Sequence, residues 1–479
     1  MLEGLQITKT AINRNRIGFV EYEYDFDKQH AKLLQRVVSS CPECGKIVNA
    51  EVYEFKNQVF MYKECCGHKF TILKEKDAEF YHKWKGYSES SYIPPQISLD
   101  EMPRFVDHIS SIMLNITERC NTFCGICVVN SNVGAWRGWE NFWTLEKIRT
   151  FLDAIKDKKR LIQLSGGEPT IRNDFNEIVK LVVESGNIPY AFTNGIKFAD
   201  KKFAEQAKKA GLTMIHFTLD SLNPNVNAAF NGGGKWVFDE KMKALENLRE
   251  NGFKVYASCK IARGINDIEI GKLLEWTVAN NDYVSGITFR PFSPQGRFML
   301  KIKEPLTLSE LVKMAEYQTN GLITREYLLE FRRFRFNGLK VMRKLLGKKT
   351  GRDMGLNHYL DCVLQKRGGK LQQVISLERL KKLNDAIESV ITESKGKIVI
   401  TLAKNLDWQT IKVVASVASN AFNFSKMLSA SFNKDNFVRV VFSELSNQIN
   451  ADFTEKFACY TMHYRKNMRE PILMAAHVA

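Results

Sequence analysis

Cys120, Cys124 and Cys127 fall in the run Glu118-Arg-Cys-Asn-Thr-Phe-Cys-Gly-Ile-Cys-Val128. This C-x3-C-x2-C spacing lets one short loop wrap three corners of an iron–sulfur cube, and three thiolates leave the fourth iron of a [4Fe–4S] cluster open to a small molecule. Such a centre suits one-electron chemistry. A structural zinc site is the competing reading, but it asks for four protein ligands, and the loop offers three thiols with no adjacent His.

A second metal constellation lies upstream. Cys41-Pro-Glu-Cys44 is a C-x2-C knuckle, and Lys63-Glu-Cys65-Cys66-Gly-His68 supplies a partner pair. Cys41, Cys44 and Cys65, with either His68 or Cys66 as fourth ligand, make a tetrahedral site for one ion. Adjacent cysteines crowd a single metal, which favours His68, while the spacing leaves both iron and zinc open.

These residues need a scaffold, and the apolar pattern divides the chain into three parts. Residues 1–105 hold short strand-like pieces, Glu51–Phe55 and Val59–Tyr62 among them, around a cysteine-rich module at about 38–75. Residues 106–305 alternate apolar strands with amphipathic helices. Six strands are expected at Ile112–Ile116, Leu161–Leu164, Ile188–Phe192, Met214–Leu219, Val255–Cys259 and Gly286–Arg290, with a helix capped by Thr144 after the first. This is an α/β pattern with a parallel sheet, open or curled into a partial barrel, and chemistry at the carboxyl ends of its strands. The cysteine loop follows the first strand. Residues 306–479 read as mostly helical.

With 479 residues and 44% apolar content, the chain can bury sizeable cores. Its beginning lacks a secretory pattern and no run of 18 apolar residues could span a bilayer, so a cytoplasmic address is expected. Seven of the ten cysteines fall between Cys41 and Cys127, as metal ligands would in a reducing compartment. The net charge of +17 has a concentrated source. Residues 325–352 carry ten Lys or Arg against two acidic residues, interleaved with Leu328, Phe331, Phe334 and Leu345. Read as a helix interrupted near Asn337-Gly338, the segment suits a core-packed basic helix, peripheral contact with an anionic membrane, or, as the weakest reading, nucleic acid.

The cysteine loop after the first strand, together with Leu164-Ser-Gly-Gly-Glu-Pro-Thr170 after the second, resembles the radical S-adenosylmethionine (SAM) superfamily. The resemblance implies a partial (β/α)6 barrel, with a [4Fe–4S] cluster on Cys120, Cys124 and Cys127. SAM on the open iron would be cleaved to a 5′-deoxyadenosyl radical, with electrons from a reductase such as ferredoxin or flavodoxin. It further implies SAM contacts from Gly166, Gly167, Glu168 and Pro169, the glycines leaving their backbone open to the ligand. Later strand ends would reach the ribose and carboxylate through Thr193, Asn194, Thr218, Asp220 and Ser258, with Lys260 or Arg263 as the carboxylate's cation. Phe289 and Arg290 would border the adenine.

The upstream module, with Lys260–Glu269 and Phe289–Arg297, is similar to the class D radical SAM methyltransferases and the archaeal tetraether lipid synthases over roughly residues 38–300. In the synthases the small N-terminal module is rubredoxin-like and carries a mononuclear iron. The chain departs from the synthases at its C-terminal end. Segments His358–Cys362 and Phe457–Arg465 hold one cysteine each, too few for auxiliary clusters, so Cys362 and Cys459 are expected as buried apolar residues. The resulting expectation is an enzyme that abstracts hydrogen and then forms a C–C bond or methylates. A membrane-lipid chain is its first-choice substrate, with a pterin or nucleic-acid base as the alternative. The non-catalytic alternative is a metal-stapled basic protein that binds nucleic acid or membrane.

Overall fold

The computed structural model describes residues 22–41, 47–86, 111–128, 131, 143–156, 159–232, 234–292, 297–300, 302, 304–346, 359–368, 370–405 and 437–443. Cys44, His358, Cys459 and residues 347–352 lie outside these residues.

Alternating apolar residues near the N-terminus build four antiparallel strands, β1 (Lys32–Ser40), β2 (Ile47–Phe55), β3 (Gln58–Cys65) and β4 (His68–Glu75), in the order β1-β2-β3-β4. Their tight turns use left-handed pairs, Lys56-Asn57 and Cys66-Gly67, with φ of 49°, 60°, 56° and 76°. Two positive φ values in succession match the right-handed twist of the flanking strands. Helix α1 (Ala78–Lys85) follows, capped by the Asp77 carboxylate accepting from the Phe80 N–H at 2.9 Å.

Among the described residues the main sheet has nine strands. All six strands expected from the pattern are present: β5 (Ser111–Thr117), β7 (Leu161–Gly166), β8 (Ile188–Thr193), β9 (Met214–Thr218), β10 (Lys254–Ile261) and β11 (Val284–Pro291). They run parallel in sequence order, the right-handed strand–helix repeat placing each new strand beside the last. The intervening helices are α2 (Leu145–Ala154), α3 (Phe175–Glu184), α4 (Lys201–Lys209), α5 (Pro224–Asn231), α6 (Trp236–Glu250) and α7 (Ile270–Ala279). Thr144 caps α2, as its sequence indicates, accepting from Lys147 N–H at 3.3 Å. A two-stranded ribbon above the sheet pairs β6 (Ile126–Cys127) with β12 (Arg297–Phe298).

The C-terminal third differs from the helical reading. It contributes helices α8 (Leu308–Gln318), α9 (Arg325–Leu346), α10 (Leu377–Val390) and α11 (Lys395–Asn405). It also extends the sheet through β13 (Tyr359–Arg367), β14 (Lys370–Gln373) and β15 (Phe437–Ser443), in the order β14-β13-β15-β11. Strand β15 is parallel to β11 and so acts as a seventh parallel strand.

Alternation along these strands separates two faces. Ile112, Ile162, Phe217, Ala257, Ile287 and Val440 belong to the helix-covered core, and so do Cys362 and Phe289. The other face carries Tyr190, Met214, Tyr256, Tyr359 and Val441. On it, Tyr190 of β8 interacts electrostatically with Arg439 of β15. Those strands are four steps apart, about 19 Å in a flat sheet, so the sheet curls with this face inside.

Helix α9 corrects one expectation and agrees with another, the core-packed reading of the basic segment. It runs unbroken through Asn337-Gly338, and its apolar face is already occupied: Tyr327, Leu328 and Phe331 are fully buried in the core. Its arginines are largely internal. Arg332 donates to the carbonyls of Trp84 (2.9 Å) and Tyr359 (3.1 Å), and Arg333 pairs with Glu388, Asp385 and Glu330. No helix among the described residues is long and apolar enough to cross a membrane.

Candidate active site and metal ribbon

The cysteine loop leaves the end of β5 and is braced from three sides. The Gly167 and Glu168 N–H groups donate to the carbonyls of Thr117 (2.9 Å) and Arg119 (2.8 Å), which ties the Gly-Gly-Glu-Pro turn to the start of the loop. A Cβ on Gly166, where φ is +135°, would sit 2.0 Å from the Thr117 carbonyl oxygen, and one on Gly167 would sit 2.3 Å from that of Arg119. The glycines are therefore required first by protein packing against the loop. We expect Gly167→Ala to cost about 1–3 kcal/mol of stability and to lower iron and sulfide bound after anaerobic reconstitution severalfold. Full loading would show that the turn does not position the loop.

The second brace is α5. The Gly125 N–H donates to the Phe230 carbonyl at 2.9 Å, and Gly232, with φ of +65°, ends that helix against the Phe123 carbonyl. The third is Arg297, whose Nε donates to the Cys124 carbonyl (2.6 Å) and Nη1 to that of Ser131 (2.7 Å) while its guanidinium lies 3.6 Å from the Phe123 ring centroid. Arg297 had a signal in the sequence: it closes the Phe289–Arg297 run.

Within the loop, Thr122 Oγ1 lies 3.2 Å from the Cys120 sulfur and 3.4 Å from that of Cys124. Asn194 Nδ2 approaches Cys120 at 3.9 Å, and the Ser131 N–H donates to the Cys127 sulfur at 3.4 Å. Burial pushes the Cys120 thiol up to about 12 and raises that of Cys124, so thiolates there need cationic company. Two lysines provide some. Lys260 Nζ pairs with Asp220 at 3.1 Å; burial alone would lower its pKa, but Asp220, Cys124 and Cys127 raise it. Lys241 on α6 is fully buried, donates to the Thr218 carbonyl at 2.9 Å and interacts with Cys124, and burial lowers its pKa. Its signal was a cation at an apolar-stripe position, in register with Val237, Ala244 and Leu248.

The other expected SAM residues divide. Thr218 and Ser258 pair across β9 and β10 on the inner face, beside Lys260. Glu168 is buried and committed to the protein, accepting from Thr193 Oγ1 and the Asn194 N–H at 2.7 Å each and from Thr170. Burial raises its pKa against those donors. Pro169 begins a short 3-10 turn behind it. Arg263 points elsewhere: its Nη2 meets Glu310 at 2.7 Å and Glu304 at 3.6 Å, and Lys76 joins the same carboxylates. That network docks the N-terminal module on the core, because the carboxylates sit between both cations. Of the two candidate cations, Lys260 is the one beside the cysteines. Phe289 faces the helices and stacks on Phe442, so it does not border the inner face, whereas Arg290 does.

In the N-terminal module, Cys41, Cys65 and Cys66 place their sulfurs within 4.8 Å of one another, the only such donor group among the described residues. The left-handed turn at Cys66-Gly67 swings the second sulfur back to 3.5 Å from Cys65, which removes the crowding expected of adjacent cysteines. His68 is exposed, stacks on Phe70 and is not in the group. The cysteines at 120, 124 and 127 are not gathered so tightly. Thiolates on one zinc lie about 3.8 Å apart, given a Zn–S bond of ~2.3 Å, so the wider set fits a cluster and the tighter set a single ion.

Residues 33–70 match the HMPTM N-terminal zinc ribbon domain, and residues 114–277 match the radical SAM superfamily. The chain carries a radical SAM domain. It takes in the cysteine loop, the Gly-Gly-Glu-Pro turn and the ends of β8 to β10. Domains of this superfamily work with a [4Fe–4S] cluster and SAM, and the ribbon supports a mononuclear metal. The 7,8-dihydro-6-hydroxymethylpterin dimethyltransferase of Methanocaldococcus jannaschii is 30% identical over 308 residues, 61% of this chain and 60% of that protein. The GTP 3',8-cyclase of Nautilia profundicola is 33% identical over 194 residues, 40% of this chain and 57% of that protein. The chain thus spans about three-fifths of the length of these curated relatives. The solved structure of Streptococcus suis SuiB bound to S-adenosylmethionine overlaps 46% of this chain and 50% of its own, at 19% identity and a TM-score of 0.38.

Proposed function

We propose that this protein is a radical SAM enzyme that takes a hydrogen atom from a reduced, pterin-like heterocycle held on the inner face of the sheet and methylates it, a second SAM giving the methyl group and leaving as S-adenosylhomocysteine, with one reductant electron for the radical cleavage and one for the methylated radical. The observation that carries the reading is the three-thiol loop braced on the Gly-Gly-Glu-Pro turn at the carboxyl ends of parallel strands. When bound, the cluster and SAM supply the electron and the carbon radical. The chain's own residues do the rest. Cys120, Cys124 and Cys127 hold the cluster, Thr122, Asn194 and Ser131 direct donors at the sulfurs, and Lys241 and Lys260 offset their charge. Lys260 is the cation for the SAM carboxylate, and Asn194, Thr218 and Ser258 lie at the strand ends facing its ribose. Cys41, Cys44, Cys65 and Cys66 hold the ribbon's ion, and a ferredoxin or flavodoxin delivers electrons.

Two observations favour a flat polar heterocycle over a lipid chain. The inner face is built of rings with polar tips: Phe192 stacks on His216 at 4.1 Å, Tyr190 Oη shares a 3.2 Å hydrogen bond with His216 Nδ1, and Tyr256 lies beyond. Tyr190, His216 and Tyr256 are themselves buried, and the half-buried Phe192 beside them offers a planar polar ring a better partner than it offers a hydrocarbon tail. The basic helix that motivated the lipid reading has its apolar face in the core.

The test is anaerobic turnover of the reconstituted chain with SAM, a reductant and deuterated 7,8-dihydro-6-hydroxymethylpterin. Deuterium should appear in 5′-deoxyadenosine, and the pterin should gain the mass of a methyl group. Transfer from a deuterated lipid extract and none from the pterin would move the substrate to lipid. No 5′-deoxyadenosine at all would defeat the enzyme reading.

A further inference from the structure

Arg290, near the end of β11, pairs in register with Lys260 on β10 and shares its face of the sheet. Lys260 interacts with Cys124 and Cys127, whereas Arg290 interacts with Tyr190, Tyr256 and His216, deeper on the inner face. It is 6% exposed, and its Nε and Nη2 have no hydrogen-bond partner among the described residues. Its neighbours bring no charge. Burial raises both phenols and holds the His216 imidazole well below its usual range, so all three are neutral around it. Burial lowers the guanidinium itself to about 10, still protonated at neutral pH.

The nearby carboxylates are already engaged. Asp361 is shared by Arg335 at 2.6 Å and Arg439 at 2.9 Å, and Arg439 reaches Tyr190 and Tyr256 as Arg290 does. Among the described residues, the ion pairs of this wall leave Arg290 as the guanidinium that does not reach Asp361. Asp220 is paired with Lys260, and Glu310 with Arg263. A desolvated cation without a counter-ion is unfavourable in the free protein, and a planar fork of donors matches a phosphate or carboxylate in two-point contact.

We infer that the inner face holds an oxyanion subsite in which Arg290 binds a phosphate or carboxylate group of the substrate. The inference rests on the proposed function only for the role of this face as the substrate side. It narrows the substrate class: the preferred heterocycle carries an acidic substituent, such as a phosphate on the hydroxymethyl group of the pterin used in the turnover test, placed away from the cysteine loop.

The experiment uses the full chain, reconstituted anaerobically, with inorganic pyrophosphate and malonate as probes in calorimetric titration and thermal unfolding. The wild type should bind one of them, pyrophosphate marking a phosphate site and malonate a carboxylate site. Arg290→Met should weaken that binding at least tenfold. Without anion its unfolding midpoint should equal or exceed the wild type's, because an unpaired buried cation has been removed. Arg290→Lys, which keeps the charge and loses the fork, should weaken binding severalfold, and it carries the comparison should the Met variant not fold. No anion binding by the wild type, or unchanged binding in the variants, would overturn the subsite. Production of 5′-deoxyadenosine by the wild type is scored separately: its absence defeats the proposed function while the anion titration still decides the subsite.

Discussion

Replacing Cys124 with alanine is expected to cut 5′-deoxyadenosine formation by at least about a thousandfold while leaving the fold in place. The cysteine loop is held by its backbone. Arg297 grips the Cys124 carbonyl, the Gly125 N–H is bound by Phe230, and the Met299 N–H donates to the Gly125 carbonyl at 2.8 Å. None of these contacts uses the Cys124 side chain. On the proposed function, the variant would lose one of three thiolates on a cluster that has no spare ligand. Iron and sulfide should fall towards the ribbon's content alone, with the far-ultraviolet circular dichroism unchanged. Turnover above about a tenth of wild type would remove Cys124 from the catalytic centre.

Asp361→Asn is expected to destabilise the protein by about 3–5 kcal/mol, the range for breaking a buried ion set from one side. Arg335 Nη1 contacts both Asp361 oxygens at 2.6 Å, and Arg439 reaches the carboxylate from β15, all three residues being nearly fully buried. Burial alone would raise the Asp361 pKa; the two guanidinium groups outweigh it and hold the carboxyl below its ordinary value. A carboxyl lowered in the folded state contributes stability that is complete above its unfolded value, near pH 4, and is lost as pH falls through the folded one. The stability difference between wild type and Asp361→Asn, from chemical denaturation, should therefore be constant near neutrality and shrink in acid below about pH 4. A difference under about 1 kcal/mol at neutral pH would show that the set contributes no net stability.

The catalytic loop was legible because its ligands are close in sequence. Three cysteines within eight residues must sit on one loop whatever surrounds them, and the six strands of the core are marked by apolar runs that alternate with helices. The C-terminal strands were harder to read. Phe437–Ser443 is apolar enough for a strand, but only its long-range pairing with β11 and β13 makes it a sheet member. The Arg325–Leu346 helix was ambiguous for a related reason. A basic amphipathic pattern looks the same whether its cations meet lipid or a buried aspartate, and the partner Asp361 lies in a different strand.

The amino-acid sequence alone determined the kind of chemistry and where along the chain it lies, since metal-ligand spacing and strand–helix periodicity are local properties. Only the tertiary structure decided which charges serve the site. It sent Arg263 to Glu310 and Lys260 to Asp220 beside the cysteines, turned Cys66 into the ribbon through a left-handed backbone, and buried Lys241 and Arg290. Pairing and burial depend on residues distant in sequence, and the long-range contacts that bring them together set the electrostatics of the centre.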